Sequence, residues 1–245
     1  MPPTVAVLHH LESPFTGHAG RALAAAGVAL DERDLAGGDP LPDPGAVDGI
    51  LSLGGEQSAR ELDRHPYLRA EVELLRSATE RELPVFGVCL GGQLLARALG
   101  GEVRRMHRRM IGWEPLHPLA AARADDLFAA LPAGASALHW NEDCFSLPPD
   151  AVELSAAAGP GCEAFRHGRC AWGIQFHPEV DAGVLETWYR LEGWLEQAGV
   201  EEAQARAADA RHLPAQADVG AAIFGAFATV VRERLGALDR APAEI

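Results

Sequence analysis

The sequence predicts an α/β fold: an open, mostly parallel sheet flanked by helices, with an antiparallel extension at one edge and a helical C-terminal tail. Three observations carry this expectation. Short β-forming runs alternate with amphipathic, helix-length segments through the first half of the chain, the pattern of parallel strands joined by right-handed crossovers. From Glu102 to Phe176 short strands with tight turns take over. Beyond residue 200 the chain becomes alanine-rich and helical. With 245 residues, 48% of them hydrophobic, the chain can bury one large core.

Val5–His9 reads as the first strand and about Thr16 to Ala26 as a helix, followed by a strand over Val28–Asp34. Ala36–Val47 is a Pro/Gly/Asp loop, and Gly49–Leu53 is the third strand. Pro66 suits the first turn of a long helix that runs to about Glu82, with Leu68, Val72, Leu75 and Ala78 down one side. Val85–Val88 is the next strand. Gln93 to Leu99 reads as a helix stopped by Gly100-Gly101. A further helix is expected over Asp181–Gln197, its Trp188, Trp194, Leu185, Leu191 and Leu195 in the core. In the tail, Glu201–Asp209 is expected to be helical, Pro214 to break the helix, and Ala217–Leu238 to form a second one. The division expected is a domain over residues 1–199 and a helical extension over 200–245, packed back on the domain through Ile223, Phe224, Phe227, Val230 and Val231. The alternative use of that surface is a homodimer contact.

The formal net charge of −14 disfavours nucleic acid and anionic membrane surfaces as partners. All 21 basic residues are arginine. No basic N-terminal stretch with a long apolar run marks a signal peptide, and no run reaches the 18 apolar residues of a membrane span; the longest apolar stretch, Val219 to Val231, reads as a buried helix. Cys89, Cys144, Cys162 and Cys170 form no CxxC pair, which points to a reduced, cytoplasmic protein. A hairpin turning at His167-Gly168 would set Cys170 opposite Phe165, with Cys162 on the other face, so no disulfide is expected there. The histidines lack zinc spacing, and His9, His10 and His18 read as solvated or capping residues; no metal and no cofactor is expected. No phosphate-binding loop is present.

The chemistry lies in two segments. In Pro84-Val85-Phe86-Gly87-Val88-Cys89-Leu90-Gly91-Gly92-Gln93 a strand meets a helix at a sharp, glycine-lined elbow with a thiol at its apex. The unpaired N–H groups and dipole of the helix start favour the thiolate. A lone cysteine in such a turn is ordinarily a core residue. The second segment changes the balance. The strand Ala171-Trp172-Gly173-Ile174-Gln175-Phe176 ends in His177-Pro178-Glu179. His177 supplies a base, and Glu179, two residues on, shares its face of an extended backbone and can orient it. Both segments close predicted strands at their C-terminal ends, the edge of an open α/β sheet where active sites form.

Gly87-Val88-Cys89-Leu90-Gly91-Gly92-Gln93 and Gly173-Ile174-Gln175-Phe176-His177-Pro178-Glu179 resemble the signatures of class I, triad-type glutamine amidotransferases, in particular stand-alone proteins similar to the glutaminase domain of GMP synthase. The resemblance extends over most of residues 4–195. It includes Leu51-Ser52-Leu53-Gly54-Gly55, which looks like the oxyanion strand and loop, and Ala96–Val103, Ile111-Gly112-Trp113, His139-Trp140 and Ala164-Phe165-Arg166. It implies a flavodoxin-like sheet and a glutaminase reaction. Cys89 would attack the side-chain amide of glutamine, His177 would shuttle the proton and Glu179 would orient His177. The backbone N–H groups of Gly55 and Leu90 would hold the oxyanion, and Gly54, Gln93 and Asp143 would contact the substrate. The ammonia would pass to a synthetase on a separate chain.

The chain also departs from the family pattern. Glu56-Gln57-Ser58 stands where proline usually follows the glycines, Asn141-Glu142 replaces a histidine and a glycine, and Glu163 replaces an amide. These changes keep open a γ-glutamyl peptidase or hydrolase acting on a larger amide, and a catalytically idle regulatory subunit. Asp143 reads either as a ligand for a substrate α-amino group or as a loop residue capping a turn. Arg104–Arg109 reads as a solvated hairpin edge or as a dock for an acidic partner or an anionic substrate.

Overall fold

The structure, a computed structural model, describes residues 2–11, 15–157 and 159–238; the last residues of the expected tail, 239–245, lie outside the described part. β1 (Thr4–His10), α1 (Gly17–Ala25), β2 (Ala29–Asp34), β3 (Gly49–Gly55), α2 (Pro66–Glu80), β4 (Val85–Val88) and α3 (Leu90–Ala98) alternate as expected. Next come β5 (Val103–Pro115), β6 (His117–Pro118), β7 (Ser136–Phe145), β8 (Ala151–Ala156), β9 (Ala164–His167) and β10 (Ala171–Ile174), then α4 (Ala182–Trp188), α5 (Trp194–Ala198) and α6 (Glu202–Leu238).

Eight strands form one sheet in the order β2-β1-β3-β4-β10-β9-β8-β6. The first five are mutually parallel, and β9, β8 and β6 continue the sheet antiparallel, the open, flavodoxin-like arrangement with an edge extension. Successive side chains of a strand point to opposite faces, so each strand feeds two cores. On one face Val5, Val7, Leu51, Phe86, Val88, Trp172 and Ile174 pack with Leu23 of α1 and with Ile223, Phe224 and Phe227 of α6. On the other, Ala6, Leu8, Ile50 and Val85 pack with Leu68 and Leu75 of α2 and Leu94 of α3. Phe224 and Phe227 meet Phe86 at ring separations of 5.5 and 5.6 Å. Each such ring contributes about 1.5–3 kcal/mol by leaving water. By length and composition alone α6 passes for a membrane span, but its apolar side is buried on the sheet.

Several expectations need correction. The antiparallel region is two structures, because β5 and β7 pair only with each other, as a separate long ribbon. Leu138 and Trp140 of that ribbon pack on Val184, Leu185 and Trp188 instead of on the sheet. The helix expected over Asp181–Gln197 is split into α4 and α5 by Gly193, whose φ of +74° ends helical geometry at a residue without a Cβ. α6 runs through Pro214 without ending. Proline in a helix interior costs about 3 kcal/mol; tethers on both sides of it offset this, Asp209 to Trp113 and Tyr189, and Gln216 to His177. The β9–β10 loop is three residues long, so His167 faces Ala171, and Gly173 instead of Cys170 faces Phe165. Gly168, at φ +56°, makes that longer turn. All four cysteines are free and buried.

Candidate active site

α3 begins at Leu90, three residues earlier than composition predicts, because Gly91 and Gly92 are poor helix formers held in place by packing. A Cβ on Gly91 would sit 2.1 Å from the Ser52 carbonyl oxygen, and one on Gly92 would sit 2.5 Å from that of Ile174. The helix therefore lies against β3 and β10 as only glycine allows. Cys89 between β4 and α3 has φ +51° and ψ −104°, a conformation that costs an L-residue about 1–3 kcal/mol. Its N–H donates to the Ile174 carbonyl at 2.8 Å, and its own carbonyl accepts from Gln93 at 2.9 Å. The thiol thus stands at the start of α3 with its backbone fixed on both sides.

β10 lies beside β4 in register, Val88 opposite Ile174. The residues that follow the two strands are therefore neighbours. Gln175 Nε2 lies 3.5 Å from Cys89 Sγ. Beyond it, His177 Nδ1 and Glu179 Oε1 are 2.7 Å apart, both residues buried. His177 is held through its backbone: its N–H donates to Leu138 at 2.9 Å and its carbonyl accepts from Gln216 Nε2 at 2.6 Å. The Trp188 ring meets the imidazole edge-on at 4.6 Å. Burial pushes the His177 pKa down, but the Glu179 carboxylate and the Cys89 sulfur outweigh it and raise the pKa to about 10. Nε2 of His177 has no hydrogen-bond partner among the described residues.

Gly55 and Leu90 both border the cleft above Cys89. A Cβ on Gly55 would lie 2.9 Å from Leu90 Cδ2. Leu90 is the first residue of α3, so its N–H belongs to the first turn, where no helical acceptor exists. Gly54 borders the histidine, since a Cβ there would come within 3.0 Å of His177 Cε1. Gln93 is buried and donates to the Asp143 carbonyl and to Gln175 Oε1, both at 3.3 Å. Asp143 is a strand residue of β7 and caps no turn. Its carboxylate accepts from Ser58 Oγ at 2.5 Å and from Arg60 Nε at 3.1 Å.

The substituted residues have partners too. Glu56 is exposed at the mouth of the cleft. Glu142 pairs with Arg105 and with Arg109, whose Nε lies at 2.7 Å, and the Arg109 guanidinium lies 4.1 Å over the Trp194 ring. Glu163 pairs with His139 at 3.1 Å in the interior. Asn141 Nδ2 donates to the Asp143 carbonyl at 3.0 Å. Two of the six residues from Arg104 to Arg109 thus serve Glu142, and Arg104 pairs with Glu102. Trp140, Trp188, Leu191 and Trp194 wall the cleft around Cys89 and His177, whose free room is about 20 Å³. Glu56, Gln57 and Glu142 also border an adjoining cleft of about 710 Å³. Among the described residues no cluster of His, Cys, Asp or Glu is placed to hold a metal ion.

Sequence reasoning assigned no task to Gln175, Gln216, Ser58, Arg60 or the tryptophan wall. Gln175 carried a usable signal, since it lies two residues before His177 and so shares its side of an extended chain. Gln216 carried none, because its partner is a backbone carbonyl distant in sequence.

Comparison with known proteins adds a family. The family model described as glutamine amidotransferase class-I matches residues 40–190, more than half of the chain. A glutamine amidotransferase-like protein of Salmonella typhimurium is 31% identical over 154 residues, 61% of this chain and 64% of its own length. One component of the glutamine-hydrolysing GMP synthase of Methanococcus maripaludis, a separate polypeptide, is 35% identical over 105 residues, 42% of this chain and 54% of its own. The chain thus spans between about half and two thirds of the length of these relatives. The crystal structure of a glutamine amidotransferase from Thermotoga maritima superposes with a TM-score of 0.82 at 24% identity, covering 93% of this chain and 99% of the other, and shows the same fold.

Proposed function

Because the chain belongs to the class I glutamine amidotransferase family, we propose that it hydrolyses the side-chain amide of L-glutamine through a γ-glutamyl thioester on Cys89. One observation carries the reading: an elbow thiol stands beside a histidine whose Nδ1 is held by Glu179 at 2.7 Å and whose Nε2 is unpartnered among the described residues. The Cys89 sulfur attacks the amide carbon, and the carbonyl oxygen takes up negative charge facing the N–H groups of Gly55 and Leu90. Such donors act on charge present only in the transition state, and the loss of one costs about 3 kcal/mol. His177 gives its Nε2 proton to the nitrogen as the C–N bond breaks and ammonia leaves. Water then attacks the thioester, His177 takes the water proton, and the thiolate departs from glutamate. Glu179 keeps the imidazole in the orientation and charge state that both steps need.

Gln93 spends its amide hydrogens on Asp143 and Gln175, so its Oε1 is the atom left to accept from a substrate amine. Asp143, neutralised by Arg60, contributes by fixing the pocket wall as well as by charge. The relative that forms one component of GMP synthase supports delivery of the ammonia to a synthetase on a separate chain. The test is release of ammonia and glutamate from L-glutamine, with Cys89→Ala as control. Turnover that survives in the control would refute the thiol mechanism.

The adjoining 710 Å³ cleft favours a second reading, a γ-glutamyl amide with a leaving group larger than ammonia. A panel of γ-glutamyl amides separates the two. Higher kcat/KM on a larger amide than on glutamine selects the second, and the reverse order selects the first.

A further inference from the structure

A Cys–His–Glu arrangement gives Gln175 no task, yet its amide nitrogen lies 3.5 Å from the Cys89 sulfur, in donor range for a sulfur acceptor. The residue is 3% exposed. Its other end is fixed, because Gln175 Oε1 accepts from Gln93 Nε2, which is itself held by the Asp143 carbonyl. An amide whose oxygen is engaged by a donor can present only N–H to the sulfur. The backbone locks the same geometry: Gln175 N–H donates to Glu163 at 2.9 Å, and Cys89 N–H donates to Ile174 at 2.8 Å. Among the described residues Gln175 is the side chain whose hydrogen bond reaches this sulfur.

Resting on the reading of Cys89 as nucleophile, we propose that Gln175 is a catalytic residue that donates a hydrogen bond to the Cys89 sulfur and stabilises the thiolate over the thiol. A thiol sulfur is a weak acceptor and a thiolate a strong one, so the bond favours the ionised form. It weakens when the sulfur loses its charge in the thioester and is regained when the thiolate leaves. The amide therefore assists both formation of the nucleophile and its departure. The charged groups facing the sulfur are His177, with Glu179 behind it, Glu56 after β3, and Glu142 and Asp143 on β7. All of them remain when Gln175 is replaced.

The test is the rate of Cys89 alkylation by iodoacetamide against pH, read by peptide mass spectrometry in the full chain. It needs no substrate turnover. Burial raises the thiols of Cys162 and Cys170 to about 12 and about 11 and also raises that of Cys144, so these react slowly, and Cys89→Ala supplies the background. Gln175→Met is expected to move the alkylation midpoint up by about one pH unit, a tenfold slower reaction below it. Gln93→Met, which only releases the Gln175 amide, is expected to move it in the same direction by less, and covers the case in which Gln175→Met fails to fold. Midpoints unchanged in both natively folded variants would overturn the proposal. A wild-type midpoint at the ordinary thiol value of about 8.5 would overturn the nucleophile reading beneath it.

Discussion

Gly54→Ala separates stability from activity at one atom. The added Cβ would lie 3.0 Å from His177 Cε1, and 3.7 Å from both His177 Nδ1 and Cys89 Cβ. Contact at van der Waals distance requires the imidazole to retreat by a few tenths of an ångström. It has little freedom to do so, being bonded to Glu179 at 2.7 Å, edge-on to Trp188 at 4.6 Å and pinned at both backbone ends. A misplacement of 1 Å at a reacting group costs about a hundredfold in rate, so a retreat of a third to a half of that predicts a loss of about tenfold in kcat. Gly54 lies in β3 without a left-handed φ, so alanine fits the backbone and stiffens the unfolded chain, worth about 0.5 kcal/mol or more. The assay is steady-state glutamate release together with thermal unfolding. Slower turnover at equal or higher Tm is expected. A kcat within twofold of wild type at unchanged Tm would refute the claim that Gly54 sets the histidine's position.

Other perturbations follow from the same contacts. Phe227→Ala empties a fully buried site against Phe86 and should destabilise the fold by about 3–5 kcal/mol, lowering Tm by about 10 °C in a thermal melt. Gln216→Leu leaves the buried His177 carbonyl without its 2.6 Å donor; kcat should fall several-fold with KM little changed, and an equal rise in KM would point to a disordered pocket instead. The His177 pKa is raised in the folded state from 6.5 to about 10. The stability it contributes is therefore fully present below about pH 6.5 and lost as pH rises through about 10. Denaturant midpoints at pH 7 and pH 10.5 should differ more for the wild type than for His177→Gln, and equal differences would contradict the raised pKa.

Much of the fold was legible because it follows from local rules. The alternation of β1 through α3 and the elbow at Cys89 are written in short-range pattern and glycine placement. The pairing of β4 with β10 joins residues far apart in sequence, and only the two motifs together hinted at it. The rest was hidden for identifiable reasons. Pro214 signals a break, but tertiary tethers on both sides override it. Gly193 splits a helix that apolar spacing alone would continue. Glu142 and Glu163 look like uncompensated charges in sequence, and their partners Arg105, Arg109 and His139 come from other strands or distant stretches of chain. Asp143 was found as a candidate residue, but Ser58 and Arg60, which hold its carboxylate, were not, because no local pattern links a loop after β3 to β7.

The bond from Gln216 to the His177 carbonyl spans 39 positions of sequence. As a chain is synthesised, the thiol elbow and the His177 segment emerge well before the helix that steadies them. Until α6 arrives, the sheet face bearing Phe86 and Trp172 lacks its cover of Phe224 and Phe227. The nascent protein thus carries every reactive group in an unarmed form, together with a bare greasy surface of the kind that chaperones engage. Arming and sealing come in one late event, the docking of the last helix.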